Sequence, residues 1–321
     1  MIIIYLLLLV GFSALLIKST DILTDSLTEL SKITKMGKFA ITSFLLAFAT
    51  SIPELVVGIT ASLEGRPSLA LGAILGSNIA NISLVIGGAT VIGGTLGVAG
   101  DFFKIDIFSV FLAGVLPIML LMDGDLSRVD GIILLFIYGM YNYGLLSKKR
   151  RYKSQPSRIV KKFLQNAINK RANRWLAWLF LGAAMLMFSA DMIVKVGGGL
   201  AQMMGVPVFL VGLFLVAVGT SLPELSFEIR AIKKKQAGMA LGDLFGSIVA
   251  NSTLVLGLVS LISPIKLENG LDEYLLASAT FGIIFLLFWY FVKTKKKLER
   301  WEGVILLIAY VVFIMAEFWG K

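Results

Sequence analysis

Two five-residue segments, TSIPE from Thr50 to Glu54 and TSLPE from Thr220 to Glu224, each place a carboxylate inside a run of otherwise apolar residues. An ionisable side chain at the centre of a bilayer costs at least about 2.5–3.5 kcal/mol on insertion scales, so Glu54 and Glu224 need a compensating partner. Thr50 and Thr220 precede their glutamates by four residues, and Ser51 and Ser221 by three, so each segment, written as a helix, presents one polar face. Pro53 and Pro223 remove an amide donor and crowd the preceding turn. Backbone carbonyls at 47–49 and 217–219, Ala47 and Ala217 among them, are therefore expected to turn away from their helices. At membrane depth such carbonyls are tolerated only where they line a cavity or find a partner.

A second pair of segments supplies the opposite wall. Ser77 and Asn81, and likewise Ser247 and Asn251, are four apart and project together, while Gly72, Gly76, Gly242 and Gly246 allow close helix approach. Pooled, the segments offer two carboxylates with hydroxyl, amide and carbonyl oxygens. Ca²⁺ takes about 6–8 oxygen ligands, and two glutamates neutralise its charge. Na⁺ can use the same hydroxyls and carbonyls. The chain has no cysteine and no histidine, which excludes thiolate and imidazole sites and leaves a hard cation held by oxygen as the metal chemistry open to it.

The elements that must position these residues are membrane helices. The sequence is 57% hydrophobic, and its mean hydropathy is +0.88, far from a soluble chain. Ten apolar windows are expected to span, at 2–17, 39–62, 68–92, 106–122, 130–147, 175–200, 206–229, 238–262, 273–292 and 302–319. The first is read as a retained span rather than a cleaved leader. At a constant offset of 170, ALGAILGSNIANISLVIG (Ala70 to Gly87) matches ALGDLFGSIVANSTLVLG (Ala240 to Gly257), and AFATSIPEL matches AVGTSLPEL. RVDGIILLFIY from Arg128 echoes RWEGVILLIAY from Arg300. The fold class expected is an all-α polytopic membrane protein: a five-helix repeat at 1–147, a basic linker at 148–174 and a second repeat at 175–321. An odd number of spans per half inverts the second repeat and puts a transport site at the midplane between them.

The net charge of +10 resides in connectors and does not call for nucleic acid. Connectors 18–38, 99–105, 148–174, 230–237 and 293–300 hold 4, 1, 11, 4 and 5 Lys or Arg. The alternate connectors hold only Arg66, Arg128 and Lys266. The positive-inside rule places the first set, with the central linker, in the cytoplasm and both termini outside the cell membrane. Asp21 and Asp191 match across the repeat near helix ends, where a topological role is expected; Asp243, whose counterpart is Ala73, is expected to support the site or a helix end. Glu228, near Arg230 and the basic connector, is expected to be solvated or paired.

These two halves resemble the α-repeats of the sodium/calcium exchanger branch of the calcium/cation antiporter superfamily, whose signature is GTS[LIV]PE followed by a GSN-type segment. The resemblance implies that the second, third, seventh and eighth spans surround the ions while the first and sixth slide across them. Carried over by position, Glu54 and Glu224 would bind Ca²⁺ with Thr50 and Thr220, and Ala47, Ser51, Ser77, Ala217, Ser221 and Ser247 would complete the Na⁺ sites, beside Asn81 and Asn251. It implies Ca²⁺ and Na⁺ as substrates, no cofactor and no enzymatic activity. A monomer is the expected assembly, which the sequence itself does not determine.

Three features depart from or refine that pattern. Ala49 stands where a glycine is common. Asn251 replaces the aspartate of potassium-dependent relatives, which disfavours potassium coupling, and the GN-x-x-E motif typical of proton-coupled relatives is replaced by TS-x-PE. The competing readings are a proton/calcium exchanger and a cation channel, whose pore would also use glutamate and backbone oxygens. An ATP-driven pump lacks its phosphate-binding motif, and a hydrolase acting through Ser221 lacks a base, with no histidine in the chain and no lysine in these motifs.

Overall fold

The computed structural model describes residues 2–33, 51–98, 106–148, 170–267 and 272–319. With no water in the hydrocarbon to satisfy backbone groups, these apolar stretches close their hydrogen bonds within helices. Helix α1 is Ile2–Ile33 and α2 is Ile52–Leu63. Helix α3, Pro67–Ala80, passes through a π-helical turn, Asn81–Val85, into α4, Ile86–Gly93. Then come α5 (Asp106–Leu120), α6 (Arg128–Lys148) and α7 (Lys170–Met204). A helical turn, Val208–Leu210, and a π segment, Val211–Val216, lead into α8, Ala217–Lys233. Helix α9, Ala237–Val249, crosses a second matched π segment, Ala250–Val255, into α10, Leu256–Ile262. The described chain closes with α11 (Asp272–Lys295) and α12 (Arg300–Trp319).

Among the described residues six helices are long and apolar enough to cross a membrane, or seven when Val208–Leu222 and Glu224–Lys233, bent by 44°, count as one span. This is a mostly helical, multi-pass membrane protein. Of the ten expected spans, 39–62 is described only from residue 51 onward, as the shorter apolar helix Ile52–Leu63, and 106–122 is likewise a shorter apolar helix. The window at 130–147 is α6, whose 21 residues carry Arg128, Asp130 and Lys148. Two helices overrun their windows: α1 continues through Lys18 and Asp21 to Ile33, and α7 extends to 35 residues. Neither glycine nor proline occurs between Phe12 and Ile33 to stop the first of these.

Burial separates an inner set from an outer one. The span from Pro67 to Gly93 is the most enclosed, whereas α1, α7, α11 and α12 expose large apolar side chains such as Ile3, Phe180, Ile283 and Val312. An apolar surface this extensive fits lipid rather than water. Helices α1 and α7 lie along one another, with Phe12 and Phe188 meeting edge to face at 6.0 Å.

Contacts between the two halves recur at equivalent positions. Strand β1 (Leu96–Gly97) pairs antiparallel with β4 (Lys297–Leu298), and β2 (Asp125–Leu126) with β3 (Ile265–Lys266). A Cβ on Gly87 would stand 2.9 Å from the Gly303 carbonyl oxygen, and one on Gly131 would stand 2.8 Å from that of Gly257. The echo between Arg128 and Arg300 is a matched helix start: Asp130 Oδ2 accepts from the Ser127 amide at 2.9 Å, and Glu302 Oε2 from the Glu299 amide at 2.8 Å. Beside the second, Lys295, Lys297 and the Trp301 indole hold the Glu299 carboxyl down at about 2.

The tightest crossing sets the two halves' centres together. A Cβ on Gly72 would fall 2.1 Å from Phe209 O, one on Gly76 2.0 Å from Leu213 O, and one on Gly212 2.3 Å from Leu69 O. These glycines are packing residues, as expected of Gly72 and Gly76, while nothing stands within 4 Å of a Cβ on Gly242. Gly72→Ala or Gly76→Ala is expected to destabilise the protein by about 1–3 kcal/mol through overpacking. Thermal melting in detergent should show it as a lower Tm, with the exposed Gly139→Ala on α6 as a control that leaves Tm unchanged or slightly raised.

Candidate functional site

Helix α2 carries Glu54 in its first turn, where the proline at 53 loses no helical hydrogen bond. Ser51 lies in the turn just before it, and Ala47 and Thr50 lie outside the described residues. In the other half α8 runs from Ala217 through Thr220, Ser221 and Glu224, and its bend falls at the proline, between Leu222 and Glu224. The Ala217 carbonyl expected to turn outward accepts a hydrogen bond from Thr220 Oγ1 at 3.2 Å.

Ser77, projecting from α3, joins the halves. Its Oγ donates to Glu54 Oε1 at 3.4 Å, stands 3.2 Å from Thr220 Oγ1 and accepts from Ser221 Oγ at 3.4 Å. Glu54, Ser77, Thr220 and Ser221 therefore form one buried cluster although they come from α2, α3 and α8. The Glu224 carboxylate, one turn below Thr220, is within electrostatic reach of Glu54. Ser247, on α9, is completely buried. Asn81 and Asn251 sit in the π segments Asn81–Val85 and Ala250–Val255, where the wider turn displaces side chains relative to a regular helix.

Among the described residues much of the hydrogen-bonding capacity here is unmet, that of the donors Asn81 Nδ2 and Asn251 Nδ2 included. Glu54 is 2% exposed and its Oε2 has no hydrogen-bond partner among the described residues; Glu224 is equally buried and both of its carboxylate oxygens lack one. Ser51 Oγ and the side-chain oxygens of Asn81 and Asn251 are in the same position. Buried acceptors are ordinarily satisfied, and a buried carboxylate without a donor or countercharge is the costliest exception. Among the described residues no group of three or more acidic side chains could hold a metal ion. A cation at this place would therefore be held by two carboxylates and neutral oxygens.

Two features escaped the sequence reading. Asn78 Nδ2 donates to Ser252 Oγ at 2.7 Å, tying α3 to the π segment of the other half. The GSN and ANS triplets carry these residues, yet their repeat counterparts are Ile248 and Ile82, so symmetry gave no hint of the bond. Glu228 is not solvated: it is 1% exposed, and one of its oxygens has no partner among the described residues. Arg230 instead donates through Nε to the Ser226 carbonyl at 3.1 Å. Asp243 is also buried. Asp191 is not at a helix end, as Asp21 is not, because α7 continues past it to Met204 and α1 to Ile33. Asp191 pairs with Lys195 at 2.9 Å, while Lys195 reaches Glu64 at the end of α2 at 3.6 Å.

Known proteins match the chain over almost its whole length. A sequence profile of the family described as "Sodium/calcium exchanger protein" matches residues 4–146 and again 174–319. The chain is 32% identical to a putative antiporter, CaxA, of Alkalimonas amylolytica, over 94% of this chain and 95% of that protein. It is 28% identical to the sodium/calcium exchanger MaX1 of Methanosarcina acetivorans, covering 98% of each. Among solved structures it is similar to the sodium-calcium exchanger NCX_Mj, with a TM-score of 0.67 and 26% identity, covering 98% of this chain and 99% of that one.

Interhelical hydrogen bonds in membranes are worth about 0.6 kcal/mol on average and up to about 1.7. A double-mutant cycle on Asn78→Ala and Ser252→Ala, read by unfolding in detergent, should return a coupling in that range. Strict additivity would show that the two side chains do not support one another.

Proposed function

The chain belongs to the sodium/calcium exchanger protein family, cation transporters rather than enzymes, and on that footing we propose that it exchanges Na⁺ for Ca²⁺ by alternating access. The observation that carries the reading is the pair of buried glutamates, Glu54 and Glu224, one from each half and each with orphaned carboxylate oxygens, Glu54 being joined through Ser77 to Thr220 of the helix that carries Glu224. Two carboxylates match the charge of Ca²⁺, and the hydroxyl and carbonyl oxygens bring the ligand count toward the six to eight it takes. Glu54, Glu224, Thr50 and Thr220 are assigned to Ca²⁺. Na⁺ is assigned to oxygens of Ala47, Ser51, Ser77, Ala217, Ser221 and Ser247, with Asn81 and Asn251 lining the same space. Sharing one set of oxygens makes the ions compete, and an empty site carrying two bare carboxylates resists reorientation through the apolar interior.

The plan we propose is ten spans in two inverted repeats, 1–147 and 175–321, about a linker at 148–174. Support comes from the double profile match, the exchange of strands between β1·β4 and β2·β3, and the matched glycine contacts at 87/303 and 131/257. The charge bias of the connectors supports a cytoplasmic linker, with both termini outside a cell membrane; a monomeric carrier is part of the same proposal. Coupling to Na⁺ is favoured over H⁺ by the hydroxyls beside both glutamates, which can coordinate an alkali ion.

Reconstituted vesicles loaded with Na⁺ are expected to accumulate Ca²⁺ when external Na⁺ is removed. Glu54→Gln and Glu224→Gln should each reduce that uptake to background while the protein remains in the membrane. Uptake that follows a pH gradient and ignores Na⁺ would replace sodium coupling by proton coupling, and current far above carrier turnover would indicate a channel.

A further inference from the structure

The turn that ends the helix of Glu54 and the turn that ends the helix of Glu224 share one backbone. Glu64 caps α2 at φ −84° and ψ 7°, and Lys234 caps α8 at φ −84° and ψ 6°. The residues that follow, Gly65 and Lys235, both take positive φ, at 70° and 56°. The amides of Arg66 and Gln236 then bond back to Ala61 O at 2.8 Å and to Ala231 O at 2.9 Å. Matching turns thus present opposite charges, a glutamate in one half and a lysine in the other. The long helices carry the complementary signs at the same offset of 170, because Lys195 of α7 has Asp25 of α1 as its counterpart. Nearby, Ser19 and Ser189 keep the same register and are both completely buried.

One of these two pairs is made and the other is open. Lys195 Nζ stands 3.6 Å from Glu64 Oε1, and beside it Arg66 Nη1 donates to the Val194 carbonyl at 2.8 Å. The guanidinium lies against α7 at Gly198, where a Cβ would stand 2.1 Å from Nη1. Asp25 and Lys234 are exposed, and among the described residues no ion pair joins them. Helices α1 and α7 run antiparallel, since Tyr5 packs on Gly199 and Phe12 on Phe188. Asp25 lies 13 residues beyond Phe12 and Lys195 seven beyond Phe188, so the two charges sit at opposite ends of the helix pair, about 30 Å apart. We infer that Glu64–Lys195 and Asp25–Lys234 are alternating latches, each closing one face of the carrier by holding the α1–α7 pair against a turn of the core, one forming as the other parts. The inference rests on the alternating-access reading of the chain. A helix pair gripped at one end or at the other is a two-state element, which switching requires. The grip is reversible because it is exposed: an ion pair of this kind shifts an equilibrium by no more than about fivefold. Arg66 has the neutral Gln236 as its counterpart, so the face of the 64–66 turn is the more firmly held.

The test reads each latch from both faces. In a Gln236→Cys background, in a chain with no other cysteine, a membrane-impermeant maleimide reports which face a vesicle exposes. Half-saturating Ca²⁺ is measured at each face for Glu64→Gln, Lys195→Gln and their double variant, and for Asp25→Asn, Lys234→Gln and theirs. Loosening a latch raises the population open at its own face and lowers the other, and apparent affinity follows population. The first set is expected to lower half-saturating Ca²⁺ about two- to fivefold at the 64–66 face and to raise it at the 234–236 face. The second set should move both values in the opposite directions. Each double variant should shift no further than its larger single, because the two side chains act as one contact. Shifts of the same sign at both faces, additive doubles, or no shift in either set overturn the inference and leave the exchange reading in place. Wild-type vesicles in which a Na⁺ gradient moves no Ca²⁺ overturn both.

Discussion

Two glutamates held out of water with too few donors form the constraint around which this protein is organised. In an interior this apolar, an ionised carboxylate is tolerated only beside a positive charge or a full set of hydrogen bonds, and among the described residues Glu54 and Glu224 have neither in sufficient measure. The serine-threonine cluster stabilises one oxygen of Glu54 and leaves the rest of the acceptor capacity open. On the proposed reading, the missing partner of this charge-deficient site is the transported cation.

Bringing those acids together is a packing problem, and the sequence solves it with the absence of side chains. The backbones of α3 and the π segment Val211–Val216 approach so closely that a methyl group at Gly72, Gly76 or Gly212 would collide with a carbonyl oxygen. That approach sets Ser77 against Thr220 and Ser221. The π turns at Asn81–Val85 and Ala250–Val255 add a residue to the turn where the asparagines stand, which re-aims polar groups without breaking the helix. The long outer pair, α1 and α7, lies over this core with apolar side chains toward lipid.

Much of the core was legible because the chemistry occurs twice. A carboxylate behind proline in an apolar run is one observation; the same pattern again after 170 residues, followed both times by a Ser and Asn four apart, identifies the elements that meet. The matched capping acids Asp130 and Glu302 explain why a weak echo survives between α6 and α12. What repetition cannot encode was missed. The Asn78–Ser252 bond joins positions that are isoleucine in the other copy, and the π turns carry no composition of their own. The burial of Glu228 was hidden by its neighbours, because an acid beside Arg230, Lys233, Lys234 and Lys235 reads as a solvated helix end. Hydropathy also misplaced the ends of α1 and α7, since charged residues end an apolar window without ending a helix.

The measurement that bears most directly on this account is anomalous diffraction from crystals soaked with Sr²⁺ as a heavy Ca²⁺ analogue. The account predicts one strong peak within coordination distance of carboxylate oxygens from both Glu54 and Glu224, weakening as Na⁺ in the soak is raised. A peak that touches only one of the two glutamates, or density between them that is indifferent to Na⁺, would contradict it.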